Sequence, residues 1–176
     1  MKYFLFLFGF FLTQFTFGQE RVKIVDKKTT SKGVQYIIVA PENPTISKRL
    51  YSNAANKLNK EKYIVPESAM SASASIDMKE DEAKRRDTFI KTAFTEKGLS
   101  IPDDTIIATF WLSPKGKILE MSFFIPTKSK ISVDEIALIE ETLKDKYTVK
   151  MNADKFKGMK FTVYRAPINL GRINSL

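Results

Sequence analysis

With 176 residues, a net charge of +9, no cysteine and no histidine, the chain can bury one hydrophobic core but lacks much of the usual catalytic repertoire. Lack of Cys excludes disulfides, thiol catalysis, zinc–thiolate centres and a lipoprotein anchor. Lack of His removes the common general base, the Ser-His-Asp and Cys-His constellations, and the usual nitrogen ligand of zinc, copper and nickel.

The first eighteen residues, MKYFLFLFGFFLTQFTFG, have the layout of a secretory signal peptide. Lys2 supplies the positive start, Phe4 to Leu12 the apolar stretch and Gly18 the small residue before the cut. Thr13 and Gln14 interrupt the apolar run well short of the ~20 residues that a membrane span needs. The expected mature chain begins at Gln19, so 1–18 is the signal peptide and 19–176 a single α+β domain with no stable membrane span after cleavage. Its expected location is periplasmic or extracellular. The positive charge is carried by 23 Lys against 6 Arg. That balance reads as a solvated surface rather than a nucleic-acid site, where bidentate Arg is favoured. The anionic partners open to an exported protein are an envelope protein or an anionic glycan. Oligomeric state is not readable.

Residues 21–39 predict a β-hairpin: RVKIVDKK alternates, TTSKG supplies turn residues and VQYIIVA is β-prone. Leu50, Ala54 and Leu58 fall at helical spacing and predict a short helix over 47–60. PESAMSASASI (66–76) reads as a loop. A second helix is expected from Asp77 or Lys79 to Lys97, with Glu80, Asp81 and Glu82 in its first turn and Gly98 closing it.

The C-terminal half predicts a hairpin, 105–113 and 117–125, joined by the SPKG turn and ended by Pro126. Ser132 and Glu135 form a capping box that opens a helix to about Lys146, and KFTVYRA (160–166) supplies a last strand. The fold class is therefore α+β: a β-β-α-β C-terminal sheet with one covering helix, preceded by a β-hairpin and helices. Strand alternation sets Ile106, Ala108, Phe110 and Leu112 beside Leu119, Met121, Phe123 and Ile125 as the core face, with Phe110, Phe123 and Ile139 buried under the capped helix. Ile107, Thr109, Trp111, Ile118, Glu120, Ser122 and Phe124 take the other face, where the N-terminal helices are expected as cover.

A strand, a P-K-G turn, a second strand, an S-x-x-E helix and a strand closing on Pro167 resemble the C-terminal domain of TonB-like proteins over residues 105–167. TonB-type transducers keep an N-terminal anchor and a long Pro-rich linker, and the chain shows neither. The resemblance thus implies the fold and not energy transduction. The aromatic-rich leader and general layout also resemble small uncharacterised exported proteins of Bacteroidota.

No sequence pattern nominates a catalytic residue, a cofactor or a metal site: calcium-loop, S-x-x-K, G-x-G-x-x-G and Walker A patterns are all absent. The candidate partner-binding residues are Trp111, Ile107 and Phe124 on the second sheet face, with Lys155, Lys157 and Lys160 from the lysine-rich stretch behind the helix. The expected function is an exported, non-catalytic binding or assembly module of the cell envelope. The alternative is a His-free, carboxylate-based hydrolase of envelope carbohydrate. The last strand, Lys160 to Arg165, is expected at or near a sheet edge that pairs with a partner strand, the alternative being that the N-terminal hairpin, Val22 to Val39, pairs there; a proline at Thr162 would block an added strand and separate the two.

Overall fold

The computed structural model describes residues 23–40, 47–61, 80–151, 153–156 and 158–175. The leader and the 66–76 stretch lie outside these. Six strands form one antiparallel sheet: β1 (Lys23–Thr29), β2 (Gln35–Ala40), β3 (Lys48–Asn53), β4 (Thr105–Leu112), β5 (Ile118–Pro126) and β6 (Thr162–Asn169). Their spatial order is β1-β2-β3-β5-β4-β6. The helices are α1 (Glu80–Glu96), α2 (Val133–Lys146) and the short α3 (Leu170–Asn174). Their buried residues, among them Ile90, Phe94, Ile136, Ile139, Leu143 and Ile173, join one cluster with Ile106, Ala108, Phe110, Met121 and Phe123. That cluster uses alternate residues of each strand, so all three helices cover the same sheet face.

The local signals of the C-terminal half act as expected. Ser132 Oγ accepts from the Glu135 N–H while the Glu135 carboxylate accepts from the Ser132 N–H, which fixes the start of α2. Gly98, at φ +64°, closes α1: its N–H donates to the Thr95 carbonyl, and the Leu99 N–H donates to the Phe94 carbonyl. Gly116 does two things in the SPKG turn. It adopts φ +80°, and a Cβ there would overlap the Val149 carbonyl, whose own N–H donates to the Gly116 carbonyl at 3.0 Å. Phe110, Phe123 and Ile139 are all buried in the cluster.

Three expectations are corrected. The helix expected over 47–60 is instead strand β3, a turn and a 3₁₀ turn at Leu58–Lys60. β3 pairs with β2 on one side and β5 on the other, and these two ladders outweigh the thin helical stripe of Leu50, Ala54 and Leu58. Second, the register shifts between Trp111 and Leu112, so that Trp111 faces Glu120 but Leu112 faces Ile118. This bulge turns Ile118, 1% exposed, into the core and leaves Leu119 half-buried outside it. Third, α1 packs on the core face rather than over the second face, where Ser52, Thr109, Trp111 and Ser122 are nevertheless buried.

Candidate functional site

Cross-strand register arranges the second face in rows. Val39, Leu50, Phe124, Ile107 and Pro167 are successive partners from β2 to β6, forming an apolar row across the sheet. The adjacent row, Ile37, Ser52, Ser122, Thr109 and Arg165, is mostly polar. Trp111 lies one row further, between Glu120 on β5 and Val163 on β6.

Ile107 and Phe124 are therefore direct partners and both half-buried, while Trp111 stands apart from them and is 8% exposed. The turn after β3 lies on the Trp111 corner. There the Asn56 amide donates to the Met121 carbonyl at 2.6 Å, and the Lys57 and Leu58 N–H groups donate to the Glu120 carboxylate.

Of the nominated lysines, Lys160 is exposed and pairs with Glu61 at 2.6 Å. Lys155 belongs to a 3₁₀ turn, Ala153–Phe156, and Lys157 lies outside the described residues. On the sheet face itself Arg165 is an exposed cation, whose guanidinium sits 4.9 Å over the Phe124 ring, with Nε 3.3 Å from Thr109 Oγ1.

A groove of about 630 Å³ runs along α2 on the helical side, lined by Lys32, Tyr36, Asn53, Glu96, Glu140 and Lys144. Three contacts fold the first hairpin onto α2 here. Ser31 donates through N and Oγ to Asp134, Lys32 pairs with Glu141 at 2.9 Å, and the Tyr36 hydroxyl donates to Glu140 Oε2 at 2.5 Å. Glu140 is 3% exposed. Its Oε1 accepts no hydrogen bond and lies 3.5 Å from Lys144 Nζ. Burial pushes this carboxyl above its ordinary range, against the opposing pull of Tyr36 and Lys144. Burial, with the Glu140 carboxyl beside it, raises the Tyr36 phenol.

A second charged cluster ties α1 to α3. Arg86 and Asp87, 2% and 0% exposed, bond through the guanidinium, and Arg172 Nη2 reaches the other Asp87 oxygen at 2.7 Å. Sequence reading missed both buried clusters. A signal did exist: Arg86 stands four residues before Ile90 and Glu140 four after Ile136, so each falls on a buried helical stripe. Among the described residues no group of His, Cys, Asp and Glu is arranged to hold a metal ion, and no helix is long and apolar enough to cross a membrane.

The fold has a solved counterpart. A DUF5043 family protein from Bacteroides uniformis superposes with a TM-score of 0.60 at 22% sequence identity, over 84% of this chain and 88% of that one. At that identity the likeness is one of fold. No family model and no curated protein matches the sequence.

Proposed function

We propose that the protein is an exported, non-catalytic binding or assembly module of the cell envelope. The observation that carries this reading is the half-buried apolar row of Val39, Leu50, Phe124 and Ile107 on the second face, with Arg165 and Pro167 exposed at its β6 end. The described helices α1, α2 and α3 join the core on the opposite face, so this row is not part of the cluster they bury. The hydrolase alternative requires two converging carboxyl groups. The α2 groove instead offers Glu140, with one oxygen taken by Tyr36, and rim carboxylates paired with lysines, Glu141 with Lys32 and Glu96 with Lys146.

The TonB-like reading of residues 105–167 belongs to this proposal as well. β4, β5, α2 and β6 follow in the order on which that resemblance rests, and an envelope protein or anionic glycan is the expected partner. A leader cut before Gln19 would deliver the chain to the periplasm or beyond.

Two measurements on the native organism test the reading. Intact mass of the protein from the periplasmic or extracellular fraction is expected to begin at Gln19; a membrane-bound form retaining Met1 overturns export. Photo-crosslinking from positions on the second face is expected to trap an envelope component. Crosslinks confined to the α2 groove, or hydrolysis of envelope glycan lost in Glu140→Gln, would overturn the non-catalytic assignment.

A further inference from the structure

We propose that the outer edge of β6 accepts an extended acidic peptide as an added strand. This deepens the binding-module reading and rests on it. The backbone directions follow from one hydrogen bond. The Leu170 N–H donates to the Asp104 carbonyl at 2.8 Å, one step beyond the Thr105–Asn169 pair. Hydrogen-bonded residues alternate along an antiparallel ladder. Thr162, Tyr164, Ala166 and Ile168 therefore bond to β4, and Val163, Arg165 and Pro167 direct their backbone groups away from the sheet. Pro167 fits this phase, because a proline in a strand sits where no ladder N–H is needed. The same phase corrects the choice of Thr162 for a blocking proline: its N–H belongs to the β4 ladder, whereas that of Val163 does not.

The two sheet edges differ. β1 is blunted by a register shift between Ile24 and Asp26 and by the exposed Lys27 and Lys28 along it. β6 keeps unbroken register with all eight residues of β4, and its outward Pro167 lies toward the C-terminal end, leaving the Val163 and Arg165 N–H groups directed outward.

Charge selects the occupant. From Lys155 to the C-terminus the sequence holds five Lys or Arg residues and no Asp or Glu. Lys160 is paired with Glu61 and Arg172 with Asp87, while Arg165 contacts Thr109 and Phe124 rather than a carboxylate. A strand laid beside β6 sets a side chain next to Arg165, where Glu or Asp forms a charge-assisted pair. A second copy of this strand, paired antiparallel about Arg165, would instead bring two Arg165 side chains together.

The probe is a fluorescein-labelled peptide matching the eight residues of β6 in length, with Val and Thr alternating with Glu. Controls carry Lys in place of Glu, or N-methyl groups on alternate amides of the acidic peptide. The acidic peptide is expected to bind saturably by fluorescence anisotropy and to slow hydrogen exchange at the Val163 and Arg165 amides. The Lys and N-methylated peptides are expected not to bind. Arg165→Glu should weaken binding by about tenfold or more, the scale of one charge pair. Val163→Pro should abolish binding while the fold persists.

Equal binding of the N-methylated or Lys peptide overturns the proposal, as does unchanged exchange at Val163 and Arg165, or no binding of the acidic peptide. If Val163→Pro fails to fold, the N-methylated peptide decides alone. Protection of these amides that grows with protein concentration, without peptide, identifies a second copy as the occupant and also overturns it. Failure here with second-face crosslinks retained removes only the strand acceptor; loss of those crosslinks removes the module reading itself.

Discussion

Glu140 and Tyr36 show how one side chain couples a helix to a distant hairpin. The carboxyl sits among Tyr36 from β2, Asn53 at the end of β3 and Lys144 from its own helix. Burial raises its folded pKa above the ordinary value of 4.5, so the folded protein keeps a proton that the unfolded chain has already lost. Stability from this group is therefore present below the ordinary carboxylate range and is lost as pH rises toward the raised value. The melting temperature is expected to decline over that interval, and Glu140→Gln should flatten the decline because the amide still accepts from Tyr36. Thermal melts from about pH 4 to about pH 8 check this; parallel profiles for the two proteins would refute it. Asp134 acts with the opposite sign in a separate window. Its bonds from Ser31 lower its pKa below the ordinary 3.8, so its contribution is present above the ordinary Asp range and lost only in stronger acid.

At the scale of elements, the Arg86–Asp87–Arg172 cluster fixes the short α3 against α1. Asp87 accepts from both guanidinium groups, and Asn169 caps α3 by accepting from the Arg172 N–H at 2.8 Å. Removing the carboxylate leaves Arg86, 2% exposed, as a buried cation without its counter-charge. Asp87→Ala is expected to cost about 3–5 kcal/mol in chemical denaturation, whereas Arg172→Ala, which removes a partly exposed partner, should cost far less. Equal costs would show that the pair inside α1 is not the critical contact.

The elements also differ in how plainly the sequence announces them. Ser132 with Glu135, Gly98 and the SPKG turn are local signals, and each produced its element. β3 carries no such signal, because KRLYSN becomes a strand only through the neighbours that pair on both its sides.

For the whole molecule, adjacent phenylalanines on β5 report on the two faces. Phe123 is fully buried beneath the helices, while Phe124 lies half-buried in the apolar row of the opposite face. Phe123→Ala is expected to cost about 3–5 kcal/mol, the usual range for emptying a core aromatic. Phe124→Ala should cost a smaller amount and should loosen Arg165, which rests on that ring. Urea unfolding of the two variants measures the contrast, and comparable losses would mean that a second core lies over that face.

Composition and local pattern alone determined the α+β class, the capped helix, the C-terminal hairpin, the core positions Phe110, Phe123 and Ile139, and the narrow range of chemistry left to a chain without His or Cys. These depend on periodicity and on contacts between near neighbours in sequence, which a linear reading can follow. Tertiary structure decided the rest. It inserted β3 between β2 and β5, exchanged Ile118 for Leu119 through a bulge, gathered α1, α2 and α3 on one face and left β6 at the rim. It also brought Tyr36 to Glu140 and Asp87 to Arg172. Those outcomes depend on pairings between residues far apart in the chain, where the satisfaction of backbone ladders and buried charges outweighs local preference.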